Sequence, residues 1–163
     1  QLGGENYYTL KMNRNPALDI YVDPTDNSKI NTTTNAITVA DQEYYKWQFD
    51  GDWVNGFTLK NKATQSYVSY GSANPVSKFT AVLTDTPAEG AYFDLIQNGG
   101  KNYLKIHGST NNAYVSNNGG AGTTFLTNWN SANNIGDAGA QILIAEAEEL
   151  TEEATITYTY KYN

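Results

Sequence analysis

Tyr8-Thr9-Leu10-Lys11, Phe57-Thr58-Leu59-Lys60 and Tyr103-Leu104-Lys105-Ile106 are three short alternating runs, each followed by a segment centred on Tyr-Val. The followers are Ile20-Tyr21-Val22-Asp23, Ser66-Tyr67-Val68-Ser69 and Ala113-Tyr114-Val115-Ser116. Apolar residues alternate with polar ones at the period of a half-buried strand, and Asn, Gly, Asp and Pro punctuate the runs. Tyr21, Tyr67 and Tyr114 lie 46 and 47 residues apart, a spacing that marks an internal repeat.

The rest of each unit extends the pattern. Tyr45-Lys46-Trp47-Gln48-Phe49, Ala91-Tyr92-Phe93-Asp94-Leu95 and Gln141-Ile142-Leu143-Ile144 read as closing strands. Between them and the Tyr-Val segments lie Ala36–Val39, Phe79–Leu83 and Thr124–Thr127, which alternate in the same way. Four strands in each of three units predict twelve in all. Propeller blades also have four strands, but propellers usually need at least four blades.

Composition agrees with an all-β chain. Of 163 residues, 13% are aromatic, thirteen of them Tyr, and turn formers are abundant. This length suits one domain with a real core. A net charge of −7 without a basic cluster argues against a nucleic-acid partner and against anionic membranes. No apolar run reaches the roughly 20 residues of a membrane span, so no membrane insertion is expected. The absence of Cys excludes thiol chemistry and disulfide stapling. Low charge, much Asn and Tyr, and Gln1 in place of Met fit a mature exported chain, secreted or at the cell surface.

The periodic apolar positions and the length resemble the β-trefoil family that includes ricin-B-like lectins and related carbohydrate-binding modules, over roughly residues 6–147. The resemblance implies a pseudo-threefold barrel capped by hairpins, with a glycan or polysaccharide as partner. The Gln-x-Trp triplet common in ricin-B-like repeats is absent: Trp47-Gln48 reverses its order and Gln141-Ile142-Leu143 has no Trp. Sugar-binding roles tied to that triplet therefore do not carry over. The division expected is a β-trefoil domain over 1–147, then an acidic linker and strand over 148–163 that either pairs with the N-terminal segment or, as favoured, opens a further domain of the same chain.

Candidate chemistry points to binding without catalysis. His107 is the sole imidazole and no Gly-x-Ser-x-Gly elbow occurs, so neither a serine triad nor a zinc site is expected. Asp19, Asp23, Asp41, Asp50, Asp52 and Asp94 read as turn caps. No cofactor or metal is implied. Sugar binding needs an aromatic face with planar amides or carboxylates beside it. Trp129 with Asn128, Asn130, Asn133, Asn134 and Asp137 supplies that set on one polar loop. Trp53 is expected to cover the edge of the core. A protein-interaction or protease-inhibitor domain is the alternative, with residues 24–35 as its protruding loop.

Overall fold

The computed structural model describes residues 2–117, 126–128, 135 and 137–152. Thirteen strands are present among them, with two short 3-10 turns at Gln42–Tyr45 and Ala138–Ala140 and no α-helix. The strands are β1 (Tyr8–Met12), β2 (Leu18–Val22), β3 (Ile30–Thr33), β4 (Trp47–Asp52), β5 (Gly56–Asn61), β6 (Tyr67–Ser69), β7 (Phe79–Thr80), β8 (Val82–Thr84), β9 (Tyr92–Asn98), β10 (Lys101–Ile106), β11 (Val115–Asn117), β12 (Leu126–Asn128) and β13 (Ile142–Glu146).

Six of them close on themselves. Pairing runs β1–β4–β5–β9–β10–β13 and returns to β1, antiparallel at every step. Closure removes the edges that an open sheet would expose. Outside the barrel, β2 pairs β3, β6 pairs β8, and β12 pairs both β11 and β7. A barrel with outer hairpins is the all-β architecture that the sequence predicts.

Alternation places the core inside the barrel. Leu10, Met12, Trp47, Phe49, Leu59, Phe93, Leu104, Ile106 and Ile142 are all buried. Trp47 also donates its indole N–H to the Ile20 carbonyl at 3.0 Å, which ties an outer hairpin to the barrel wall. The Gly56 backbone has φ +85°, and a Cβ there would meet the His107 Cβ at 3.1 Å. The β4–β5 turn therefore needs glycine for both its conformation and its close approach to β10.

Two details of the repeat differ from the sequence reading. The third strand of the first unit is Ile30–Thr33, and Ala36–Val39 lies outside any strand. Ile30 and Thr32 are the inward residues of β3, and the period of two is hidden because the inward Thr32 is itself polar. The alignment of the Tyr-Val segments also shifts. Lys11 pairs with Asp19, Lys60 with Tyr67, and Lys105 with Tyr114. The residue that matches Tyr67 and Tyr114 is thus Asp19, not Tyr21. Aromatic identity misled the alignment, because positions two apart share a face and the alternation alone fits either pairing.

Tyr70 is 1% exposed, and its hydroxyl has no hydrogen-bond partner among the described residues. Burial pushes its pKa well above the ordinary phenol value. A lone buried hydroxyl costs desolvation without return. Tyr70→Phe is expected to leave stability unchanged or raise it by about 1 kcal/mol. Urea unfolding of the two proteins reads this directly, and a clear loss in the variant would mean that the hydroxyl is satisfied.

Candidate functional site

The shifted alignment singles out one position. Where the other two segments carry Tyr67 and Tyr114, β2 carries a carboxylate, Asp19. Asp19 is 9% exposed, which is unusual for an acid. Its nearest counter-ion is Lys11 on β1, with Nζ 3.8 Å from Oδ1. That distance is an ion pair and too long for a hydrogen bond. Oδ1 has no hydrogen-bond partner among the described residues. Burial raises the Asp19 pKa, and the Lys11 charge opposes this more weakly.

Asp19 lines a pocket of about 290 Å³ on the outside of the barrel. Lys11 and Thr9 of β1 and Ala145 and Glu146 of β13 form one side. Ile37, Gln42 and Tyr45, from the segment between β3 and β4, form the other. Tyr45 stacks flat on Tyr21, with ring centroids 4.7 Å apart and planes 7° from parallel. Its hydroxyl pKa is pushed up to about 12, first by burial and then by Tyr21, Asp19 and other nearby acids. The Tyr45 ring is therefore a fixed, neutral wall.

The chain after β13 completes the pocket. Ala147 donates its N–H to the Tyr7 carbonyl at 2.9 Å. The Gln42 side chain then clasps Leu150 twice, donating Nε2–H to its carbonyl at 3.0 Å and accepting its N–H on Oε1 at 2.8 Å. Lys46, 5% exposed, donates from Nζ to Glu149 at 2.7 Å and to Gln42 at 3.1 Å. The same ammonium holds the Glu149 pKa below its ordinary value. Glu148 and Leu150 are thereby set into the pocket wall. The start of the acidic linker is anchored to the barrel through residue 150 by one amide and one buried ammonium.

The result is a small concavity with apolar walls at Ile37, Ala145 and Leu150 and an under-satisfied carboxylate. Its volume is at the low end of the roughly 300–1,000 Å³ typical of ligand pockets. It suits a single ring that has an apolar face and hydrogen-bond donors.

Of the residues selected from the sequence, Trp129, Asn130, Asn133 and Asn134 lie outside the described residues. Asn128 is 0% exposed on β12, so it offers no group to the surface. Its position in a three-stranded pairing with β11 and β7 explains why. Asp137 is exposed, and its Oδ1 accepts the Gly139 N–H at 2.9 Å as the cap of the Ala138–Ala140 turn. Trp53 touches the core edge, meeting Phe57 edge-on at 5.2 Å, but 65% of it remains exposed. His107 is a half-exposed partner of Asp94, with Nδ1 2.8 Å from Oδ1. Asp23 and Asp52 cap turns as expected, taking the N–H groups of Thr25 and of Val54 and Asn55. Residues 24–35 form no long loop, because Ile30–Thr33 is strand β3 and Asp26 and Lys29 close tight turns before it. Among the described residues no cluster of three or more His, Asp or Glu side chains is arranged to hold a metal.

Sequence reasoning missed the Asp19 pocket. The available signal was a carboxylate two residues before Tyr21, flanked by Leu18 and Ile20 within a strand, where a turn cap has no place.

No family model and no curated protein sequence matches the chain. Solved structures match its shape. A ricin B-like lectin from Macrolepiota procera, in complex with lactose, superposes with a TM-score of 0.66 at 16% identity, covering 88% of this chain and 97% of the lectin. A Clostridium perfringens endo-β-galactosidase that releases GlcNAcα1-4Gal gives 0.66 at 17% identity, covering 88% of this chain but 33% of the enzyme. The chain thus spans about a third of that enzyme's length. ThreeFoil, a designed threefold symmetric protein, gives 0.67 at 11% identity, covering 86% of this chain and 99% of the design. At these identities the likeness establishes the fold alone, a β-trefoil.

Two outcomes follow from the geometry. Asp19→Asn removes a buried charge and is expected to stabilise the protein at pH 7 by about 1 kcal/mol, or roughly 3 °C in Tm. The folded state holds the Asp19 proton to higher pH than the unfolded chain, so wild type gains stability as pH falls through the raised pKa. The gap between the two proteins therefore narrows on acidification, and thermal melts from pH 7 to pH 4 would show it. Gln42→Ala releases the clasp on Leu150. Hydrogen exchange should report at least about tenfold faster exchange at the Leu150 amide, with the barrel amides unchanged.

Proposed function

We propose that this chain is a non-catalytic carbohydrate-binding module, built of three four-stranded repeats about a pseudo-threefold axis, and that it works in an exported or cell-surface protein. The observation that carries the reading is the buried Asp19 carboxylate, left short of hydrogen bonds in an open pocket walled by Ile37, Tyr45 and Leu150. A carboxylate accepts from paired sugar hydroxyls, and apolar walls cover the C–H face of a pyranose. The shared fold of a lectin solved with lactose supports the same reading.

The repeats are expected to be unequal. In the second, Lys60 lies 5.4 Å over the Tyr67 ring, so an aromatic covers the place that Asp19 leaves polar. In the third, Tyr114 is buried against Tyr103. One repeat binds and the other two are structural. The export reading rests on composition, as does the absence of nucleic-acid and membrane partners.

A glycan array followed by titration calorimetry tests the proposal. A saccharide should bind, and Asp19→Ala should weaken it at least about tenfold, equivalent to roughly 1.4 kcal/mol. Failure of every saccharide on a broad array, or unchanged affinity in the folded variant, would overturn the reading.

A further inference from the structure

The charges around the Asp19 pocket do not balance, and the imbalance has a consequence for the ligand. Three carboxylates line it, from Asp19, Glu146 and Glu148. Glu146 and Glu148 are exposed and have no ion-pair partner among the described residues. Two ammonium groups line it as well, Lys11 and Lys46. The charge of Lys46 is already matched away from the pocket. Its Nζ lies 2.7 Å from Glu149 and 3.7 Å from Glu43, and neither acid lines the cavity. Among the described residues, Lys11 is left as the one cation facing three acids.

Lys11 does not satisfy Asp19 either. It stands 3.8 Å away on a side chain that is 45% exposed, and a lysine stem rotates freely into water. The site therefore presents a partly desolvated carboxylate in need of a donor, inside a rim of net negative charge. A neutral hydroxyl supplies a donor but no charge. A primary ammonium supplies three donors and the missing charge as well, whereas a hydroxyl on the same carboxylate gains only from the charge of the acceptor.

We propose that this pocket takes a saccharide unit bearing a free ammonium, a hexosamine without N-acetylation, in preference to a neutral hexose. The inference rests on the carbohydrate reading and narrows it. The ammonium lies against Asp19, displacing Lys11 outward. The C–H face of the ring lies on Ile37 and Leu150, and Glu146 and Glu148 contribute through space. An N-acetyl group removes the charge and adds bulk in a cavity sized for one ring.

Titration calorimetry of the whole chain with a glucosamine trisaccharide, its fully N-acetylated counterpart, lactose, and a short lysine peptide tests the proposal. The free-amine trisaccharide should bind at least about tenfold tighter than the N-acetylated one or lactose. The preference should shrink roughly threefold in Glu148→Gln and at high salt, since exposed charges are screened. It should also vanish as pH rises and the ligand amine loses its proton. Equal or tighter binding of the N-acetylated trisaccharide or lactose would overturn the inference and leave the carbohydrate reading standing. A lysine peptide that matches the glucosamine trisaccharide would overturn the assignment to a sugar. No saccharide binding of any kind would overturn both.

Discussion

The first strand is held on both sides. β1 pairs with β13 over five residues, Tyr8 to Met12 against Glu146 to Ile142, and with β4 through Tyr8 and Trp47. Without that ladder the sheet is open, and its two edges would carry unpaired backbone groups. The core inside the barrel depends on the same closure, since Leu10 and Met12 face Trp47, Phe49 and Ile142 only when the ring is complete. The candidate site sits at this seam. Thr9 and Lys11 come from the first strand, Ala145 and Glu146 from the last, and Leu150 from the segment that follows. A site built where β1 and β13 meet occurs once, whatever symmetry the rest of the barrel keeps.

Asp19 carries opposing demands. Folding favours a group of matched polarity at a position that is nine-tenths buried, as Tyr114 supplies in the third segment. Asp19 instead keeps a charge with an unbonded oxygen and a counter-ion at ion-pair distance only. A residue that destabilises its own fold is where binding function concentrates, and here the unmet hydrogen bond opens to a ligand that moves Lys11 aside. The Gln42 clasp and the Lys46–Glu149 pair work in the other direction, holding the pocket wall in place before any ligand arrives.

Much of the fold was legible in the sequence. Alternation in Tyr8–Lys11, Phe57–Lys60 and Tyr103–Ile106 marked three of the six barrel strands, and Trp47, Phe93 and Ile142 marked three more. What misled was side-chain identity. Tyr21 looked like the match for Tyr67 and Tyr114, yet the cross-strand lysines align Asp19 with them. Ala36–Val39 alternates well but lies outside any strand, while the polar-looking Ile30–Thr33 pairs with β2. The site was hidden for a related reason. Its parts come from four places in the sequence, and only barrel closure and the Gln42 clasp bring them together. The Asn-rich segment around Trp129 drew attention through composition, and most of it lies outside the described residues.

The most direct measurement is the backbone amide spectrum of isotope-labelled protein, titrated with a saccharide that binds. A site at Asp19 predicts that the amides of Lys11, Asp19, Ile37 and Leu150 shift together with one affinity. Shifts confined to residues 129–137, with Asp19 and Leu150 unmoved, would contradict it.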